Sequence, residues 1–302
     1  MVMYSEAWRT LMVNAAAKLY IADGQLVAVT DGEKRIVPLD QLARIVIDGT
    51  EGSISLPLLS ELSKRQISTV FSDCRHRPTA ELLPIGTTHH TAGHMMDQAG
   101  WEPRRKDMLW KQIVRMKIKQ QIYLSEKIGQ SGNQLRKYRS EVRSADESNR
   151  EAMAAKVYFS MLFGADFKRG EDDAINVALN YGYAILCSAC GRALCMHGYH
   201  PALGIHHRSR VNSMNLACDI MEPFRPFVDA IVVRNLEREL NKEYREELNR
   251  ILYQSCVLDS HRISIMDAIE ELSLDVCRFM NRKISKIREV EFESKNGDFS
   301  NV

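Results

Sequence analysis

The histidine pair His206-His207 precedes two acids, with His207 twelve residues ahead of Asp219 and fifteen ahead of Glu222; a Glu-bearing helical segment at Glu151 lies fifty-six residues upstream. Imidazole and carboxylate side chains in such a set make a candidate site for a divalent cation. Asp219 and Glu222 are three apart on an apolar-periodic run, so a helix turns both carboxylates to one side, where they can share a hard cation. Pro223 and Pro226 then break the helix directly after Glu222, because proline lacks an N-H and crowds the preceding turn. Within HHRSR, one imidazole can face a metal while Arg208 and Arg210 grip phosphates.

GIHH, then NLACDIMEPFRP, together with REAMAAKVYFSMLFG and NVALNYGYAIL, closely resembles the universal CRISPR-associated integrase family, the nuclease-like subunit that inserts new spacers into CRISPR arrays. The likeness runs from about Trp8 to Arg288 and is greatest to the short form found beside type II, single-effector systems. It implies that Glu151, His207 and Glu222 are the catalytic metal ligands, for Mg²⁺ or Mn²⁺. His207 takes the place of the histidine in the family's Gly-Phe-Leu-His turn. Asp219, Asn180 and His206 then stand behind the ligands or as alternates to them. The implied reaction is transesterification, in which the 3′-OH ends of a duplex prespacer attack phosphodiesters at the leader-repeat junction. The implied partners are prespacer and leader-repeat DNA, a second copy of the chain, a small ferredoxin-like second Cas protein bridging two dimers, and the type II effector nuclease with an accessory ring protein. The rival reading is a non-catalytic DNA-binding scaffold of the same acquisition complex.

Local spacing alone reads some of these residues differently. Ser148 and Glu151 fit a capping box, in which the glutamate reaches back to the cap N-H. Asn176, Asn180 and Tyr183 read as polar residues of helix packing. Cys187, Cys190, Cys195, His197 and His200 spell a partial zinc motif, the basis of a second rival, a zinc-stabilised nucleic-acid regulator. The spacing is not that of a standard finger, and Cys187 and Cys190 continue an apolar helix, which favours buried thiols.

The elements that must position these residues fall into an α+β arrangement. From Thr10 to about Leu83 short strand-like runs (TLMVNA, KLYIA, QLVAVT, RIVPL, ARIVIDG, STVFSD) alternate with Asp23-Gly24 and Asp31-Gly32 hairpin signals, and one helix is predicted at about Pro57 to Arg65. This is a small β-rich, β-sandwich-like domain over residues 1–85, and the resemblance assigns the dimer contacts to it. A linker follows over 86–100, where His89, His90 and His94 read as solvated. From Trp101 the periodicity is helical, predicting an all-α catalytic domain over 101–292 and a disordered tail over 293–302.

Between Arg104 and Arg143 twelve Lys or Arg face three acids, a local +9 in a chain whose net charge is +2. Such a stripe suits a phosphate backbone. Its candidates are Arg104, Arg105, Lys111, Arg115 and Lys119, with Lys111, Arg115 and Lys119 recurring four apart on one helix face. The seven cysteines suit reduced thiols, and neither a membrane span nor a signal peptide is evident, which predicts a cytoplasmic protein. No Gly-rich phosphate loop, Gly-x-Ser-x-Gly elbow or His-Glu-x-x-His motif is present, which leaves nucleotide hydrolysis and serine or zinc protease chemistry unsupported.

Overall fold

The computed structural model describes residues 9–13, 16–48, 51–73, 78–82 and 91–293, arranged as two compact units divided between His89 and His90. His89, His90, Cys74 and nearly all of the tail lie outside the described residues.

The first unit contains β1 (Arg9–Val13), β2 (Ala17–Ala22), β3 (Gln25–Thr30), β4 (Glu33–Val37), β5 (Leu42–Ile47), β6 (Gly52–Ile54), helix α1 (Leu56–Lys64), β7 (Ser68–Ser72) and β8 (Pro78–Leu82). Two four-stranded sheets result, ordered β4-β3-β2-β6 and β1-β5-β7-β8. Both Asp-Gly pairs turn two-residue hairpins with positive φ at each position (50° and 71° at Asp23-Gly24, 51° and 80° at Asp31-Gly32), the twist that antiparallel strands require. Ser55 caps α1 by accepting the Leu58 N-H at 3.4 Å. Leu58 and Leu62, four apart, then bury the same face against Leu19, Leu26, Leu42 and Ile45.

The second unit is built on α3 (Pro103–Lys127), preceded by α2 (Thr91–Ala99) and followed by α4 (Asn133–Glu141), α5 (Arg150–Phe163), α6 (Ala174–Met196), α7 (Asn215–Met221), α8 (Arg225–Val233) and α9 (Lys242–Asn249). β9 (Ser255–Leu258), β10 (His261–Ser264), α10 (Ile265–Met280) and β11 (Val290–Phe292) complete it. The mixed α+β reading stands, but the helical unit is not all-α: β10-β9-β11 form an antiparallel sheet, with Val290 opposite Leu258. The second half of the expected linker is α2, whose Gln98 side chain accepts from the His200 N-H and donates to the His200 and Leu203 carbonyls. His94 is held as well, stacked on Tyr199 with centroids 4.5 Å apart.

α6 is long and apolar enough to cross a membrane by composition, but it is a core helix of this unit. It crosses α8 at Gly182, where a Cβ would collide with Val228. The two prolines act as expected: α7 stops at Met221, a single 3₁₀ turn runs over Glu222–Phe224, and Pro226 sits in the first turn of α8. Glu222 is thereby fixed at a junction between helices.

Candidate metal centre and nucleic-acid surface

Glu151 enters from the first turn of α5. Asp146, not Ser148, caps that turn: its two carboxylate oxygens accept the Arg150 and Glu151 N-H groups at 2.9 and 2.8 Å. The capping-box reading of Glu151 is therefore corrected, and its carboxylate points elsewhere. Glu151 and Glu222 both bond the ammonium of Lys117, buried on α3, with the Glu222 contact at 2.6 Å. Arg225, one turn on, donates Nε to the other Glu222 oxygen at 2.9 Å.

Burial would push the Glu222 pKa up, but Arg225 and Lys117 outweigh it and hold the carboxyl at about 2. For Lys117, burial alone would depress the ammonium, yet Glu222 and Glu151 keep it above its usual value. Two acids far apart in sequence thus converge on one cation.

Asp219 is fully buried on α7 and does not share that cation. Its oxygens accept the N-H groups of Ile205 (2.6 Å), His206 (3.1 Å) and His207 (3.0 Å), and the His207 Nδ1-H at 2.7 Å. Asp219 and Glu222 therefore meet different partners here: the loop before α7 engages Asp219, and Lys117 and Arg225 engage Glu222. What Asp219 does is hold the ring: with Nδ1 as donor, Nε2 keeps its lone pair for a ligand role. The Asp219 hydrogen bond also raises the His207 pKa, against the opposing effect of burial. Gly204 makes the turn possible, since a Cβ there would strike the His207 carbonyl oxygen and lie 3.0 Å from Asp219 Oδ2.

His206 points away from this network and stacks flat on Trp110 of α3, centroids 4.1 Å apart, while Trp110 meets His207 edge-on at 5.8 Å. Asn180 accepts from Arg169 at 2.8 Å and is exposed, so it is engaged away from the carboxylates. Asn176 is buried in the cap of α6, with its N-H on Asp173 at 2.7 Å. Tyr183 and Tyr158 donate to buried Asp229 at 2.5 and 2.8 Å, and the Arg225 guanidinium lies 4.4 Å over the Tyr183 ring. This layer, which includes the Tyr183 singled out in the sequence, backs Glu222 through Arg225.

Among the described residues no three His, Cys, Asp or Glu side chains close on a single point. Glu151 and Glu222 are tied together by Lys117, and His207 stands near enough for its charge to bear on Glu222. In donor chemistry the set nonetheless fits a divalent metal: two carboxylates, an imidazole with its Nε2 turned from Asp219, and a resident cation marking the position between the acids.

The basic stripe is not one free face. Lys117 is inside the site. Lys119 is held by Glu289 and Glu291 at 3.0 and 2.7 Å, and Arg105 donates Nε to the Phe279 carbonyl at 3.0 Å. Arg115, Arg139 and Lys286 share a cavity of about 270 Å³ whose wall also includes Glu289. Arg104, Arg208 and Arg210 are exposed, and Lys111 is half-buried. The zinc set is dispersed: Cys190 is fully buried, Cys187 faces Cys218 with the sulfurs 3.9 Å apart, and His197 pairs with Glu270 at 3.5 Å. Burial pushes the Cys190 thiol well up, the reverse of what a zinc thiolate needs.

Residues 11–270 match the protein family described as CRISPR associated protein Cas1. A CRISPR-associated endonuclease Cas1 from Neisseria meningitidis serogroup C (strain 8013) is 36% identical over 272 residues, which is 88% of this chain and 90% of that protein. One from Francisella tularensis subsp. novicida (strain U112) is 30% identical, with 75% and 78% covered. Among solved structures, a casposase bound to integration product superposes with TM-score 0.78 at 18% identity, covering 98% of this chain and 96% of that one. A Cas1 protein from Thermotoga maritima gives 0.73 at 16% identity, covering 90% and 97%.

Proposed function

We propose, from the premise that this chain belongs to the CRISPR-associated Cas1 family, that Glu151, His207 and Glu222 are the metal ligands of a DNA integrase that joins prespacer 3′ ends to the repeat array. The observation that carries the reading is the convergence of Glu151 and Glu222 on one buried cation beside an imidazole oriented by Asp219. Family membership and the casposase-like fold support the activity; the ligand assignment is ours.

The bound Mg²⁺ or Mn²⁺ would stabilise charge on the phosphate in flight and on the leaving 3′ oxygen. The imidazole leans the choice towards Mn²⁺. The chain's own groups do the rest. Arg225 and Lys117 hold the Glu222 carboxyl well below the usual carboxylate range, so it stays charged at neutral pH, and Glu151 supplies the second carboxylate on the same ammonium. Asp219 fixes the His207 tautomer. Arg208 and Arg210, exposed directly after His207, are placed to take phosphate oxygens of the target strand. The 3′-OH forms the new ester bond at phosphorus and gives up its proton, while the departing strand leaves with a 3′-OH. Water in place of the 3′-OH would make the same site a nuclease.

A small second Cas protein bridging two dimers of this chain supplies the spacing between two such sites, a reading supported by the similar fold, with TM-score 0.73 at 18% identity, of a chain in a Cas6-RT-Cas1–Cas2 complex. We extend this to prespacer and leader-repeat DNA as substrates, and to the type II effector nuclease and its accessory ring protein as helpers, on the resemblance of the sequence alone.

The test is strand joining on a supercoiled repeat plasmid with Mn²⁺. Glu151→Ala, His207→Ala and Glu222→Ala should each lower joining by at least about a hundredfold, as loss of a metal-held charge does, while DNA binding is retained. Wild-type joining by any one of them removes that residue from the assignment.

A further inference from the structure

Lys117 belongs to α3, far in sequence from both acids, yet its ammonium is the cation on which they converge. Its side chain is 9% exposed and that of Glu222 is 5% exposed, so the contact is shut off from solvent screening. Glu222 is bonded on both oxygens, by Lys117 at 2.6 Å and Arg225 at 2.9 Å. Two glutamates, a lysine and an arginine make an electrically balanced group, closed off at Lys117 and Glu222 and partly open at Glu151 and Arg225, whose side chains are 27% and 22% exposed. A divalent ion added to that group would leave excess positive charge in a largely shielded pocket, with an ammonium and a metal at the same carboxylate oxygens. Carboxylate lone pairs suffice for both, but charge does not. Among the described residues no three acidic, imidazole or thiol side chains close on one point, and between the two acids stands Lys117.

We infer that Lys117 is a resident counter-cation that metal must displace, so that the centre exchanges lysine for metal rather than filling an empty cage. The inference rests on the ligand assignment above and adds the order of events to it. Without metal, Lys117 keeps two like charges from repelling each other and holds α3, α5 and the α7–α8 junction in register. On metal entry the ammonium leaves Glu151 and Glu222, and His207 completes the set. Apparent metal affinity is then lowered by the fraction of molecules in which Lys117 is docked; nine-tenths docked would weaken binding about tenfold.

Two measurements test this on the full chain. By calorimetry with Mn²⁺ alone, Lys117→Met should bind about tenfold tighter than wild type or more, and Mn²⁺ should raise its thermal midpoint by more than it raises that of wild type. On the wild-type protein, reductive methylation read by mass spectrometry should find Lys117 protected without metal and reactive with saturating Mn²⁺. Unchanged or weaker Mn²⁺ binding by Lys117→Met overturns the exchange. Should that variant fail to fold, equal protection of Lys117 with and without Mn²⁺ overturns it. Glu151→Gln and Glu222→Gln separate the two ideas. If both lose Mn²⁺ while Lys117→Met binds as wild type does, the ligands stand and the exchange falls. If both bind Mn²⁺ as wild type does, the ligand assignment falls and the exchange with it.

Discussion

Asp219 spends its whole carboxylate on the turn before α7, accepting three backbone N-H groups and one ring N-H. Such a group acts through His207, and its effect should appear in metal affinity. Asp219→Asn keeps the volume but turns a donor towards backbone donors, so Mn²⁺ affinity should fall about ten- to hundredfold. Hydrogen exchange at residues 205–207 should quicken at the same time. Wild-type Mn²⁺ affinity in that variant, measured by calorimetry, would remove the orienting role. The sequence showed which residue types were gathered here, since His207, Asp219 and Glu222 sit in one motif. It did not show their division of labour, because Asp219 is engaged by backbone from a loop that carries no side-chain signature. Glu151 illustrates the same limit. The spacing from Ser148 suggested a capping box, but positive φ at Ala145 (57°), Asp146 (52°) and Asn149 (50°) folds the chain so that Asp146 reaches the helix start instead.

Elements whose signal is local were legible. The Asp-Gly hairpins, α1 and the proline break after Glu222 each follow from a few neighbouring residues. β9, β10 and β11 escaped, because strands of three or four residues carry too little alternation and β11 pairs with β9 across the whole of α10. Lys117 escaped for a related reason: on charge alone it belonged to a basic stripe, and only the packing of α3 turns it inward. The contact between α5, α6 and α8 at Asp229 yields a pH prediction. Burial raises the Asp229 carboxyl from 3.8 to about 6, opposed by its hydrogen bonds from Tyr183 and Tyr158 and then by Arg225. Between those values the unfolded chain has released a proton that the folded chain keeps. Stability from this group is therefore full below pH 3.8 and is lost as pH rises through about 6. The loss is on the order of 3 kcal/mol. Glu222 has the opposite sign: held at about 2, it adds stability above 4.5 that disappears as pH falls through about 2. Asp229→Asn should flatten the decline between pH 4 and 6 in urea titrations, about the window set by these values. Parallel pH profiles for variant and wild type would remove Asp229 as the source.

At the scale of the whole molecule, the chemistry and the strands are segregated. Every residue assigned to the metal centre lies in the unit from His90 onward, while the unit ending at His89 has its own core around Leu19, Leu26, Ile45 and Leu58. On the proposed reading of one metal centre per chain, both ends of an inserted duplex are served only when two copies are held at a fixed separation. The first unit has features suited to that work. Among the described residues its sheets end in β1, β8, β4 and β6, and Ile36 on β4 and Leu56 at the start of α1 are 61% and 79% exposed. We therefore expect residues 1–83 to form the homodimer. In light scattering, a fragment of those residues should run as a dimer, and one starting at Trp101 should run as a monomer. In the full chain, Ile36→Asp with Leu56→Asp should abolish concerted two-ended joining while leaving single-end nicking largely intact, because one metal centre can cut alone but two must be spaced to join both strands. A monomeric fragment 1–83, or a stable dimer of the helical fragment, would place the two-fold contact in the catalytic unit and make the spacing between active sites a property of that unit.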